Sequence, residues 1–336
     1  MNRRPTTVLA MHPRVRQSLL GPRQLERLAR VADLDPELLV TDFADPAAAA
    51  ALANAEVLFS CWGCPPLTRQ ALERMPRLRV LVHAAGSVKS YMTAEAWRRG
   101  ITATSAAAAN AIPVAEFTLA AILFSGKRVH AAVHAYRSER AAVQLAARHP
   151  DVGNYRRTVG IVGASRIGRR VIALLEPFDV QVLVHDPFLG TAEAKELGAD
   201  LVGLDDLVER SDVVSLHAPL LPETRGLFDA ARLARMRDGA TLINTARGSL
   251  VDTDALVTEL VAGRLHAVLD HTEPEVLPAD SPLYELPNAL VTPHIAGSVG
   301  NELARMADSA IDEVERLALG RPFHHPVHEA QLSRTA

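Results

Sequence analysis

The chain has 336 residues, 48% of them hydrophobic and 22% charged, with a formal net charge of −3. That length holds about two domains of ~150 residues, in a composition usual for globular chains. So small a charge excess gives no global attraction to nucleic acid or to an anionic membrane, and neither is expected as a partner. No apolar run reaches the ~18 residues that span a bilayer, and the early run "TVLAMHP" is too short and polar for a signal peptide. The two cysteines, Cys61 and Cys64, form a C-x-x-C pair in "CWGC". A zinc site needs two further ligands that nothing nearby supplies, so no metal is expected. Two reduced thiols flanking a strand-end turn, in a cytoplasmic chain, fit better than a redox centre.

In chain order, apolar runs at 7–12, 56–61 and 79–85 read as buried parallel strands. Helical spacing covers 21–32 and 68–75, and the alanine-rich 45–55 reads as a helix rather than a linker. Residues 109–143 read as one long, mostly helical stretch with Pro113 near its first turn, followed by a loop at 148–157. From Thr158 the alternation restarts. Strands are expected at 158–163, 180–186, 213–218, 241–246, 266–271 and 289–294, joined by helices into a doubly wound sheet. A last helix, 298–319, is expected to cross back to the first lobe, and the tail "HHPVHEAQLSRTA" is expected to fray.

The stretch "VGIVGASRIGRRV" (159–171) follows a strand and opens a helix, the context that a dinucleotide turn requires. Its glycine spacing is Gly163 to Gly168, with Ser165 at the usual middle glycine. Gly163 makes the tight turn and Gly168 allows close helix packing. Ser165 keeps the backbone N–H and adds a hydroxyl able to donate to phosphate, at a helix N-terminus that favours anions. Arg166 adds positive charge, and Ile167 completes the turn. The next strand ends at Asp186, 18 residues beyond Gly168. A carboxylate there accepts from ribose hydroxyls and repels a 2′-phosphate, which favours NAD. Taken alone, Asp186 reads equally as a turn residue.

Three later strand ends carry chemistry-bearing side chains: Arg247 in "NTARGSLVD", Asp270 and Glu275 in "LDHTEPEVLP", and His294 in "TPHIAGS". Ligands of open α/β sheets bind at the carboxyl ends of the strands, so these groups can converge. Their types suit hydride transfer to a 2-keto acid. Histidinium is a suitable acid near neutral pH, a carboxylate beside it favours its charged form, and arginine clamps a carboxylate. Singly, Arg247 reads as a surface ion-pair partner, Glu275 as a loop acid and His294 as a satisfied strand-end histidine. Their joint placement carries the functional reading.

With these motifs the chain resembles the D-isomer-specific 2-hydroxyacid dehydrogenases, most specifically over 159–298 and through "SLHAPLLPETRGLFDAARLARMRDGATLINTARGSLVDTDAL". The resemblance implies an α/β fold of two Rossmann-like domains with parallel sheets and the active site in the cleft between them. The substrate domain would be 1–110 plus 299–336, and the NAD-binding domain 111–298. It implies Arg247, Glu275 and His294 as catalytic residues, with Asp186 on the adenosine ribose. His217, Ala218, Pro219, Thr224, Thr245, Ala246, Arg247, Asp270, His294 and Gly297 would line the cofactor. The substrate carboxylate would meet the backbone of Gly86, Ser87 and Val88, together with Arg247 and His294. A homodimer through the cofactor domain and no appended regulatory domain are expected. A second reading, in the manner of the related transcriptional corepressors, is an NAD(H)-sensing binding protein. The chain departs from the family pattern at Ser165, at Phe117 (commonly histidine), at His271 (commonly valine), at Val276 (usually proline) and at Lys89 (usually aspartate).

Overall fold

A computed structural model describes residues 4–332. They divide into two units. One runs through Asn110 and resumes at Ser298; the other is Ala111–Gly297, so Ser298 falls with the first unit.

In the first unit, β1 (Thr7–Ala10), β2 (Leu39–Val40), β3 (Val57–Ser60), β4 (Val80–His83) and β5 (Thr102–Ser105) form a parallel sheet in the order 5-4-3-1-2. "TVLA", "VLFS" and "VLVH" are buried throughout, as strands covered on both faces must be. The sheet's two faces carry separate cores, one around Leu52, Leu58 and Leu81, the other around Leu9, Phe59 and Val82. The returning helix Leu303–Ala318 supplies Met306, Ala310, Ile311 and Val314 to the second core. The tail does not fray at its start: Pro326–Val327 pairs antiparallel with β5. Glu313, on the returning helix, fixes it by accepting from His324 N and His325 N.

The second unit holds β6 (Arg157–Val162), β7 (Val180–His185), β8 (Asp200–Leu201), β9 (Val213–Leu216), β10 (Thr241–Asn244), β11 (His266–Leu269) and β12 (Ala289–Val291). All pair in parallel, in the order 8-7-6-9-10-11-12. The order reverses between β6 and β9, the switch point where doubly wound sheets bind ligands. Six of these strands match the sequence reading; β8, two residues long, does not appear in it.

The long helical stretch is two helices. Ala107–Gly126 ends where a Cβ on Gly126 would collide with Asn154 Oδ1. Val129–Glu139 starts after Arg128, whose φ of 52° breaks the helical path. Pro113 lies inside the first helix rather than at its first turn. Contrary to the sequence reading, Ala107–Gly126 is long and apolar enough to cross a membrane by length and composition. Here Ala115, Ala121 and Ile122 pack in a core with Val159, Ile161 and Val184.

Candidate active site

Because every strand of the second sheet runs the same way, the residues that follow β6, β7, β9, β10, β11 and β12 emerge at one edge. The turn after β6 is tightly constrained. Gly163 has φ 100°, and a Cβ there would stand 2.7 Å from Ala218 N. A Cβ on Gly168 would collide with Gly163 O. Both positions are therefore restricted to glycine. Ser165 is extended (φ −66°, ψ 179°) and needs no glycine; its Oγ accepts from Gly168 N at 3.3 Å and caps the helix Arg166–Leu175. Arg166 and Ile167 form the first turn of that helix. Asp186, just past β7, accepts from Ala164 N and Phe188 N, each at 2.8 Å, tying the second strand end to the glycine turn.

After β9, His217 is buried and bonds Ser215 Oγ through Nε2 at 2.9 Å, while its Nδ1 is buried without a partner. Ala218 and Pro219 follow, and Thr224 Oγ1 closes their loop by donating to Pro219 O at 2.6 Å. Thr245 is buried against Thr118, Oγ1 to Oγ1 3.0 Å, with Ala246 beside it. The restricted turn, the helix N-terminus, the carboxylate of Asp186 and the orphaned Nδ1 of His217 together fit a dinucleotide.

Arg247 is positioned by a residue that sequence reasoning passed over. Asn244, the last residue of β10, receives Ala246 N at 3.1 Å and donates Nδ2 to Arg247 O at 2.8 Å. The signal was present: an Asn at a strand end bonding its own backbone two residues on is an Asx turn. Among the described residues, the guanidinium donates to Ala246 O alone. Burial pulls its pKa below the usual arginine range, and the nearby charge of Glu275 opposes that.

Asp270 is buried and fully engaged. Its Oδ1 accepts from Thr292 Oγ1 (2.7 Å) and Ile295 N (2.8 Å), and Oδ2 from Ala296 N (2.9 Å). It therefore braces the segment after β12 that carries His294 and ends at Gly297. His294 has φ 55°, left-handed for a side-chain-bearing residue; such strain clusters at functional sites. Its Nδ1 lies 2.7 Å from Glu275 Oε1. The two side chains are 48% and 69% exposed, so the pair adds little to stability and its value is orientation. The hydrogen bond from His294, then the charges of His294, His271 and Arg247, hold the Glu275 carboxyl below its ordinary range. The Glu275 loop is in turn pressed onto the Arg247 turn. A Cβ on Gly248 would collide with the Thr272 carbonyl carbon, and Ser249 Oγ donates to Glu273.

In the first unit, Gly86, Ser87 and Val88 follow β4, and their backbone N–H groups meet no protein acceptor among the described residues. Val88 is buried and Lys89 exposed. Cys61 and Cys64 are buried, free thiols, each pushed up to about 12 by burial, which disfavours the reactive thiolate. No cluster suited to a metal ion occurs among the described residues.

The model of the D-isomer specific 2-hydroxyacid dehydrogenase NAD binding domain matches residues 119–296. The D-3-phosphoglycerate dehydrogenase of Mycobacterium bovis is 33% identical over 95% of this chain and 56% of its own length. The glyoxylate reductase of Korarchaeum cryptofilum is 35% identical over 74% of this chain and 76% of its own. The chain thus spans about half the length of the phosphoglycerate dehydrogenases it matches. Among solved structures, the TT0316 protein of Thermus thermophilus superposes with a TM-score of 0.75 at 31% identity, covering 96% of this chain and 99% of that one. D-Lactate dehydrogenase from Aquifex aeolicus, complexed with NAD and lactic acid, gives 0.72 at 28% identity, covering 94% and 96%. A family model matched over more than half of the residues, and relatives of this identity, settle the kinship: the chain belongs to the D-isomer specific 2-hydroxyacid dehydrogenase family.

Proposed function

We propose that this chain interconverts a 2-keto acid and a D-2-hydroxy acid, with His294 as acid and base, Glu275 as its partner and Arg247 as the substrate-binding arginine. The observation that carries this reading is the 2.7 Å contact between His294 Nδ1 and Glu275 Oε1. NAD is the cofactor, and when bound it supplies or accepts the hydride at the substrate's C2. The proton is left to the protein. With Nδ1–H donated to Glu275, Nε2 of His294 is the atom that gives a proton to the carbonyl oxygen, or takes one from the hydroxyl. Glu275, whose carboxyl the bond from His294 holds below its ordinary range, stabilises the imidazolium that the reaction requires. The fixed fork of Arg247 matches a carboxylate, and its partial burial strengthens that attraction.

We take the chain to be a cytoplasmic homodimer. Val133 and Tyr136 are exposed on Val129–Glu139, a helix with no buried residue. Ala131, His134 and Ala135 of the same helix line a cleft of about 610 Å³ that contains neither of these two side chains and none of the catalytic ones; the exposed pair and the cleft are the surfaces offered for burial by a partner copy. Light scattering on the purified chain checks the dimer.

The function is tested with a panel of 2-keto acids and NADH. His294→Ala is expected to lower turnover by about 10²–10⁴-fold while NADH affinity, read by fluorescence titration, stays near that of the parent. Undiminished turnover overturns the assignment.

A further inference from the structure

The site contains a second histidine that this reaction does not use. His271 follows Asp270, and its ring packs on that of His294, with centroids 3.8 Å apart and planes at 57°. Its neighbours are fixed on both sides: Asp270 by its three donors, Thr272 by its hydroxyl bonds to Pro274 O and Glu275 O. The imidazole is half-buried, and among the described residues neither of its nitrogens has a hydrogen-bond partner. The charged groups around it are His294, Arg247, Asp270 and Glu275. Burial, then the positive charges of His294 and Arg247, push its pKa down to about 4 against the pull of the two carboxylates. Near neutral pH it is therefore an uncharged ring with one donor and one acceptor.

A substrate hydroxyl, able to donate or to accept, can pair with whichever of the two nitrogens faces it. A methyl or phenyl group at the same place would desolvate the nitrogens without pairing them. In a 2-keto acid, the carbonyl oxygen and a hydroxyl oxygen on C3 lie roughly 3 Å apart by standard bond lengths. That span suits two groups held by adjacent, touching rings.

We propose that His271 determines specificity here, its imidazole hydrogen-bonding a hydroxyl on C3 of a 2-keto acid whose carbonyl faces His294. The inference rests on the 2-keto acid reading above. The test compares kcat/KM for hydroxypyruvate and pyruvate, with NADH, in the parent, His271→Val and His271→Gln. The parent is expected to prefer hydroxypyruvate. His271→Val should cut the hydroxypyruvate-to-pyruvate ratio about tenfold, chiefly through KM. His271→Gln, which keeps a donor and an acceptor, should retain most of the ratio. An equal loss on both acids would mean that the ring only supports His294, and would overturn the proposal; so would an unchanged ratio or a parent that prefers pyruvate. A parent inactive on every 2-keto acid overturns the proposed function itself, and this inference with it.

Discussion

Ser165 replaces the middle glycine of the dinucleotide turn, and its extended backbone explains why that substitution is tolerated. Its oxygen is an acceptor in the helix cap, which leaves its hydrogen available to a phosphate. Ser165→Ala should therefore lower stability by about 1 kcal/mol, and Ser165→Gly by only a few tenths. Urea titration of both variants checks this; equal losses would mean that the cap contributes nothing. Asp270 is the stricter case, since three donors converge on one buried carboxylate. Asp270→Asn turns an NH2 group towards at least one of them, at a cost of roughly 1–3 kcal/mol. Activity should fall with it, because the segment bearing His294 loses its brace. An Asn variant with parental stability and turnover would show that the brace is dispensable.

At the scale of elements, the proposed site is a set of strand ends, and these were the most legible part of the sequence. Runs such as "VVSL" and "TLIN" are buried throughout, and in a parallel sheet their ends share one edge. Their stops were less legible. The strand expected at 213–218 ends at Leu216, because a continuous buried run has no periodicity to mark where pairing ceases. The two-residue β2 and β8 are too short to leave a pattern, and β5, "TATS", has no apolar run. Contacts between elements left no local trace at all. Gly248 looks like an ordinary turn glycine until Thr272 is seen packed against it. Gly248→Ala must push the 270–276 segment away from the Arg247 turn, destabilising by about 1–3 kcal/mol. Because that segment carries Glu275, kcat should fall at least tenfold, a misplacement effect. Parental kcat in a folded Gly248→Ala variant would show that the two turns are not coupled.

For the molecule as a whole, the two units share a feature with a measurable consequence: each buries a neutral histidine against a serine at the carboxyl edge of its sheet. His83 Nδ1 meets Ser60 Oγ at 3.0 Å, and His217 Nε2 meets Ser215 Oγ at 2.9 Å; the second nitrogen of each ring is buried and unpartnered. Burial pushes both down to about 3, from an ordinary 6.5. The unfolded chain therefore binds protons between about pH 6.5 and pH 3 that the folded chain refuses. Stability is complete above pH 6.5 and falls as the pH drops through that window, by up to about 1.4 kcal/mol per pH unit for each such histidine. Carboxylates held low in the folded state, such as Glu275 and Asp151, act in the same direction but only once the unfolded chain's acids protonate, below about pH 4.5. Between pH 6.5 and 5 the histidines dominate. His266 and His271, each pushed down to about 4, add to the effect in the second unit. The urea midpoint should accordingly decline from pH 7 to pH 5. His83→Gln and His217→Gln, which keep a hydrogen-bonding side chain but cannot titrate, should each lower stability at pH 7 and flatten the decline. If both variants follow the parent's pH dependence in parallel, some other group takes up the protons.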